Sequence, residues 1–291
     1  MTAPAPTLEV EAALARRLGD GPRIVVGVDE VGRGALAGPV AVGACALRFE
    51  DGHDPVLPEG VRDSKKLTAK RREALVGPVR EAALASAVGW ASPAEIDEIG
   101  ILPALTRAAL RALTALDVAI DAILLDGDVD VLTPALAAAA SGTGRPVPQV
   151  ELRVAADRDC ASVSAASILA KVARDARMVE LDALAPDYGW ASNKGYGAAA
   201  HREAIDRLGA HEHHRRSWRL GSAPTPAAQP AARRPARPAA ATTGPAARAG
   251  RVPAPVLPAP PIAPRASAAA PALPGVLWDD QWHPQDRKER P

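Results

Sequence analysis

Cysteine is almost missing from this chain. Cys45 and Cys160 are the only two in 291 residues, too few for a disulfide framework or a cysteine-based zinc site, and they point to a reduced compartment. Long hydrophobic runs are missing as well. No apolar stretch approaches the roughly 20 residues that span a bilayer, and residues 1–20 hold no signal-peptide core. A cytoplasmic protein without membrane attachment is therefore expected, acting as a monomer. No internal repeat is present, so repeat architectures are set aside. An excess of one charge is missing too: 35 Lys and Arg stand against 34 Asp and Glu, a net +1. That balance is uneven along the chain. Residues 222–291 carry nine basic and four acidic side chains, a net +5, which leaves −4 for the rest. A domain of that sign is not a general polyanion binder. If it handles nucleic acid, it does so through local basic clusters. The basic tail is either a solvated linker or a source of weak, salt-sensitive attraction.

Proline divides the chain. Of 29 prolines, 16 lie after Gly221, in a stretch of Pro, Ala and Arg with neither helical nor strand period. X-Pro steps interrupt both structures, so 221–291 reads as a disordered tail. Residues 1–20 read as an N-terminal extension. The folded domain is then 21–220, long enough for a sizeable core. Within it, apolar runs predict strands at Arg23–Val28, Gly38–Arg48, Ser86–Ala91, Ala122–Leu125 and Gln149–Val154. Helices are predicted at Leu8–Leu18, at Ala69–Ala83 behind the N-cap Thr68, and at Leu102–Leu116, Ala161–Leu184 and Tyr196–Leu208. Ser92 and Glu95 have capping-box spacing at a further helical turn. Strands that come first and then alternate with helices argue for an α/β layered domain.

Four carboxylates fall at strand ends. Asp29 and Glu30 close the apolar strand Ile24–Val28, Asp126 closes Ile123–Leu125, and Asp157 follows Leu152–Val154 just before a helix. Sites in α/β sheets gather at the carboxyl ends of strands. Oxygen ligands suit hard divalent cations, and two such ions can hold the attacking and leaving oxygens of a phosphodiester. The plain alternative for any one of these acids is a turn or a helix cap. Gly32-Arg33-Gly34-Ala35-Leu36-Ala37 also matches the dinucleotide fingerprint G-x-G-x-x-A. That fingerprint must open a helix. Here Gly38-Pro39 and the strand-like Val40-Ala41-Val42 follow, and two acids stand where a pyrophosphate would lie.

The segments GVDEVGRG, DSKKL, LLDG, SAASILAK, NKGYG and EHHRRS, in this order between Ile24 and Ser217, resemble the motifs of bacterial ribonuclease HII, the type 2 ribonuclease H family. The resemblance implies a ribonuclease H-like mixed sheet flanked by helices, with a helical C-terminal extension. It also implies Mg²⁺- or Mn²⁺-dependent hydrolysis of RNA in RNA–DNA hybrids and at ribonucleotides embedded in duplex DNA, giving 5′-phosphate and 3′-hydroxyl ends in ribonucleotide removal, replication and repair. By position it assigns metal binding and catalysis to Asp29, Glu30, Asp126 and Asp157. It assigns substrate binding to Gly32, Arg33, Gly34, Ser64, Lys65, Lys66 and Tyr196.

The residue types suit those roles. Glycines 32 and 34 let backbone approach a ribose and bond its 2′-hydroxyl. Ser64, Lys65 and Lys66 enter a helix, where N–H groups and lysines suit phosphate. Arg33 is a phosphate contact or a surface arginine, and Tyr196 matches a tyrosine that stacks on a sugar at the RNA–DNA junction. His211, His213, His214, Arg215 and Arg216 form a basic cluster expected to face duplex backbone. One departure is Ala155, where the family commonly has lysine. The charge partner of Asp157 is then absent or comes from Arg153 or Arg158.

Overall fold

The computed structural model describes residues 5–50, 53–142, 144 and 146–221. The tail expected at 221–291 lies, from residue 222 on, outside the described residues. Along the chain come α1 (Glu9–Arg17), β1 (Arg23–Val31), β2 (Val40–Phe49), α2 (Ala69–Ala82), β3 (Ala85–Ala91), α3 (Pro93–Ile99), α4 (Ile101–Ala115) and β4 (Ala122–Asp126). There follow α5 (Thr133–Ala140), β5 (Gln149–Arg153), α6 (Ala156–Asp159), α7 (Ala161–Leu184), α8 (Trp190–Asn193) and α9 (Ala199–Leu208).

Local chemistry accounts for several boundaries. The Thr68 side chain accepts from the Arg71 N–H at the start of α2, and Ser92 with Glu95 forms a reciprocal capping box on α3. Glu9 and Glu11 stand in the first turn of α1, with Arg16 and Arg17 in its last, each complementing the helix dipole. Helix α5 was not expected. Its sequence TPALAAAA buries none of its residues, so it carries no apolar period to read. The helix expected from Tyr196 begins only at Ala199, because Gly195 (φ 80°) and the loop up to Ala198 form a turn instead.

The strands form one mixed sheet in the order β3-β2-β1-β4-β5. β1 pairs antiparallel with β2 and parallel with β4, and β4 pairs parallel with β5. Alternation along the strands sends two apolar sets to opposite faces. Val25, Cys45, Leu47 and Leu124 pack with Leu14, Val79 and Val163, from α1, α2 and α7. Val26, Val28, Val42, Ile123 and Leu125 pack with Ile96, Ala108 and Leu113, from α3 and α4. A third cluster joins Leu36 and Ala37 to Met178, Leu181, Tyr188, Trp190 and Ile205, and forms the helical C-terminal part.

Helix α7 lies directly on the sheet. A Cβ on Gly27 would come within 2.3 Å of the Ser162 carbonyl carbon, and one on Gly43 within 2.1 Å of the Ala166 oxygen. Two glycines facing one helix thus let its backbone reach the strands. The buried Glu11 of α1 accepts from the N–H and hydroxyl of Ser162 at 2.9 and 2.7 Å, which ties the N-terminal helix to the first turn of α7. Helix α1 therefore packs as part of this fold.

Candidate active site

Parallel pairing brings the acids together. β1 and β4 run in register up to Val28 opposite Leu125, and one further step sets Asp29 beside Asp126. Both share the parity of Val25 and Leu124, so both face α7. Oxygens of Asp29, Glu30 and Asp126 all lie within 4.8 Å of one another. Asp126 ends β4, and its Oδ1 accepts from the Ala156 N–H at 2.7 Å. The Asp29 Oδ1 accepts from the Glu30 N–H at 2.8 Å. Asp157 stands outside this group of three but close enough to feel Asp126. It sits in the short helix α6 and is buried.

Burial pushes the Asp29 carboxyl up to about 8, with Ser167 opposing and the charges of Glu30, Asp126 and Asp157 adding to the rise. Glu30 and Asp157 are raised too, each chiefly by desolvation. Such a site resists carrying all its negative charge without a cation. Lys65 is the protein's own contribution. Its exposed Nζ lies 3.5 Å from Asp157, and against the burial that lowers it, Asp157, Asp29 and Asp63 hold its pKa up. Lys65 therefore places a positive charge beside Asp157. Arg153, one of the two arginines expected in that role, is bonded to Asp159 at 2.9 Å instead. Lys66 lies 4.0 Å from Asp63. Ser64 is buried with its hydroxyl 2.9 Å from that of Ser167, so its side chain faces inward.

Gly32 has φ 85°, and a Cβ there would meet the Arg174 Nε at 2.0 Å; glycine is required by conformation and by space. Gly34 has neither constraint: a Cβ would enter open space. No described residue explains glycine at 34, which fits a close approach from outside. Arg33 is exposed and 3.7 Å from Glu30. Tyr196 joins this loop across the chain, because the Gly195 carbonyl accepts from the N–H groups of Leu36 and Ala37 at 2.7 and 3.2 Å. The tyrosine is partly exposed, with its ring 5.4 Å from the Arg174 guanidinium carbon.

The basic cluster at 211–216 does not present one face. His214 and Arg215 are fully buried. Arg215 donates to main-chain carbonyls at Gly32, Arg33 and Gly38. His214 lies 3.1 Å from His201, nitrogen to nitrogen, and burial followed by the His201 charge brings it down to about 4. Tyr188 and Trp190 meet its ring edge-on. His211, Glu212 and His213 have ligand spacing of their own, and Arg216 remains exposed. Sequence reasoning missed Arg174, Ser167 and the inward role of Arg215. A trace of the first was legible: Arg174 continues the apolar stripe Val163, Ala166, Ala170 of α7.

A family model described as ribonuclease HII matches residues 26–220. The ribonuclease HII of Streptomyces avermitilis is 43% identical over 213 residues, 73% of this chain and 83% of the relative. That of Laribacter hongkongensis is 48% identical over 203 residues, 67% of this chain and 91% of the relative. Among solved structures, the ribonuclease H2 of Pyrococcus horikoshii aligns with a TM-score of 0.53 at 28% identity, covering 67% of this chain and 93% of that one.

Proposed function

The chain belongs to the ribonuclease HII family, and from that premise we propose that Asp29, Glu30, Asp126 and Asp157 are its metal-binding and catalytic carboxylates. Members of the family are metal-dependent endoribonucleases that cleave the RNA of RNA–DNA hybrids and ribonucleotides in DNA, and this chain is such an enzyme. The observation that carries the assignment is the meeting of three carboxylates within 4.8 Å at the ends of parallel strands. The donor set fits Mg²⁺ or Mn²⁺: every ligand is a carboxylate oxygen, and Asp29 is buried without an ion pair of its own among the described residues. When bound, the divalent cation supplies Lewis acidity at the scissile phosphate and a more acidic water.

The chain's own residues do the rest. The Ala156 N–H fixes Asp126, and the β1–β4 register fixes Asp29 beside it. Lys65, exposed next to Asp157, is placed to meet a phosphate, with Lys66 following. The backbone at Gly32, Arg33 and Gly34 meets the ribose 2′-hydroxyl, the one group that marks the sugar at the cut. The expected ends are 5′-phosphate and 3′-hydroxyl, and the expected setting is ribonucleotide removal by a cytoplasmic monomer.

The test is a DNA duplex bearing one ribonucleotide, incubated with Mg²⁺ or Mn²⁺ and separately with chelator. One cut that needs metal is expected. Tight binding without cutting in either metal would make the chain a hybrid-binding protein instead. Tyr196 gives a finer expectation. An aromatic ring packs on a deoxyribose more readily than on a sugar bearing a hydroxyl, so Tyr196→Ala should harm cleavage at a lone ribonucleotide more than cleavage of continuous RNA. Loss of a stacking contact worth about 1–3 kcal/mol corresponds to about tenfold or more in rate. Equal losses on the two substrates would remove the junction-sensing role.

A further inference from the structure

Two fully buried arginines, Arg174 of α7 and Arg215, stand behind the loop that carries Gly32, Arg33 and Gly34. Neither forms an ion pair among the described residues. Burying an unpaired cation is unfavourable. Burial lowers both guanidinium pKa values, that of Arg215 down to about 9, with the nearby Arg174 charge adding to its fall. An apolar side chain would often serve stability as well or better at such a place.

Their hydrogen bonds show what the arginines do instead. Arg215 donates to the carbonyls of Gly32 at 2.7 Å, Arg33 at 2.8 Å and Gly38 at 3.2 Å. Arg174 donates to Pro39 at 2.9 Å, Ala37 at 3.3 Å and Lys194 at 3.0 Å. Every acceptor is main chain, and five of the six lie between Gly32 and Pro39. The sixth, Lys194, opens the turn that carries Tyr196, whose ring lies 5.4 Å from the Arg174 guanidinium.

Peptide geometry turns this into a statement about direction. A trans peptide points its C=O and its N–H to opposite sides, and no cis bond occurs among the described residues. With the carbonyls of Gly32 and Arg33 held by Arg215, the N–H groups of Arg33 and Gly34 must point away from it. Those two N–H groups donate to no acceptor among the described residues, whereas that of Ala35 turns back to Gly32 at 3.2 Å.

We propose that Arg215 and Arg174 are positioning residues for sugar discrimination: Arg215 aims the Arg33 and Gly34 N–H groups at the ribonucleotide, and Arg174 holds Tyr196 beside them. The proposal rests on the reading of Gly32 to Gly34 as the ribonucleotide-sensing backbone. Arginine is needed because its planar fork holds three carbonyls in fixed directions without losing its proton. A buried lysine has a single nitrogen and sheds its charge more easily.

The experiment compares binding to a duplex with one ribonucleotide and to the all-DNA duplex of the same sequence, with Asp126→Asn in every protein to prevent cutting. Arg215→Lys is expected to reduce the preference for the ribonucleotide about tenfold, the size of one or two hydrogen bonds, with all-DNA affinity and circular dichroism unchanged. Gly34→Ala, whose Cβ meets no described residue, separates the backbone reading from the positioning role. If Gly34→Ala lowers the preference and a folded Arg215→Lys does not, the positioning role is overturned and the backbone reading stands. If Gly34→Ala keeps the preference, the backbone reading fails and takes the proposal with it. Should Arg215→Lys not fold, amide exchange decides with the loop intact. Exchange at Arg33 and Gly34 should slow with the ribonucleotide duplex and not with all-DNA, and equal exchange with both would overturn the proposal. Arg174→Lys should repeat the substrate-dependent loss of Tyr196→Ala, and equal losses on both substrates would reduce Arg174 to a structural arginine.

Discussion

Asp29→Asn is expected to abolish cleavage while leaving the fold intact. The change is nearly isosteric, yet it removes the charge from the most buried of the three gathered acids. Changes in the outer shell of a metal site typically cost 10–100-fold, so loss of a direct ligand should exceed about a hundredfold. The same substitution should not destabilise the metal-free protein. Desolvation first, and the neighbouring carboxylates next, raise Asp29 from 3.8 to about 8. A carboxyl raised on folding favours the native state while protonated, and that contribution fades as pH rises through the folded value. In chelator, the wild-type melting temperature should therefore fall, relative to Asp29→Asn, as pH rises from about 4 to about 8. Turnover near wild type at saturating metal would contradict the assignment. A collapse of the variant's melting temperature would show that Asp29 is structural.

Gly27→Ala is expected to have the largest effect on stability. The added Cβ would lie 2.3 Å from the Ser162 carbonyl carbon and 2.5 Å from the Val163 nitrogen. Both are backbone atoms of α7, which cannot swing aside as a flexible side chain would. Either the helix lifts from the sheet or β1 bends. Overpacking of a close-packed core costs about 1–3 kcal/mol and occasionally more. With backbone as the obstacle, about 3 kcal/mol is expected, or roughly 10 °C of melting temperature for a domain of this size. Activity should suffer too, since α7 carries Ser167 and Arg174 to the site. A thermal melt and a urea titration measure it. A loss under about 1 kcal/mol would mean that α7 does not rest on β1 as closely as described.

Much of this was legible because it is local. Apolar runs of strand length placed five strands to within a few residues. Thr68 and the Ser92–Glu95 pair marked helix starts, since a cap needs only neighbours in the chain. Helix α7 was legible from Ala161 to Leu184 because 24 residues hold a period without interruption. The ordered motifs from Ile24 to Ser217 already pointed to one nuclease family and to four acids.

Tertiary structure decided which distant groups meet. Nothing near Arg215 in the chain shows that it turns inward to Gly32, 183 residues away. A buried arginine and a surface arginine read alike until the carbonyls that receive it are in place. Tyr196 looked like the start of a helix, yet long-range bonds from Leu36 and Ala37 to the Gly195 carbonyl hold it in a turn beside the glycine loop. Lys65 stands beside Asp157, 3.5 Å away, only because folding brings the two together. The chain alone determined the kinds of elements and the chemistry available, since hydrophobic period and capping act over a few residues. The direction of each functional group came from packing and pairing between residues far apart in sequence, where burial and hydrogen-bond geometry rather than local preference choose the outcome.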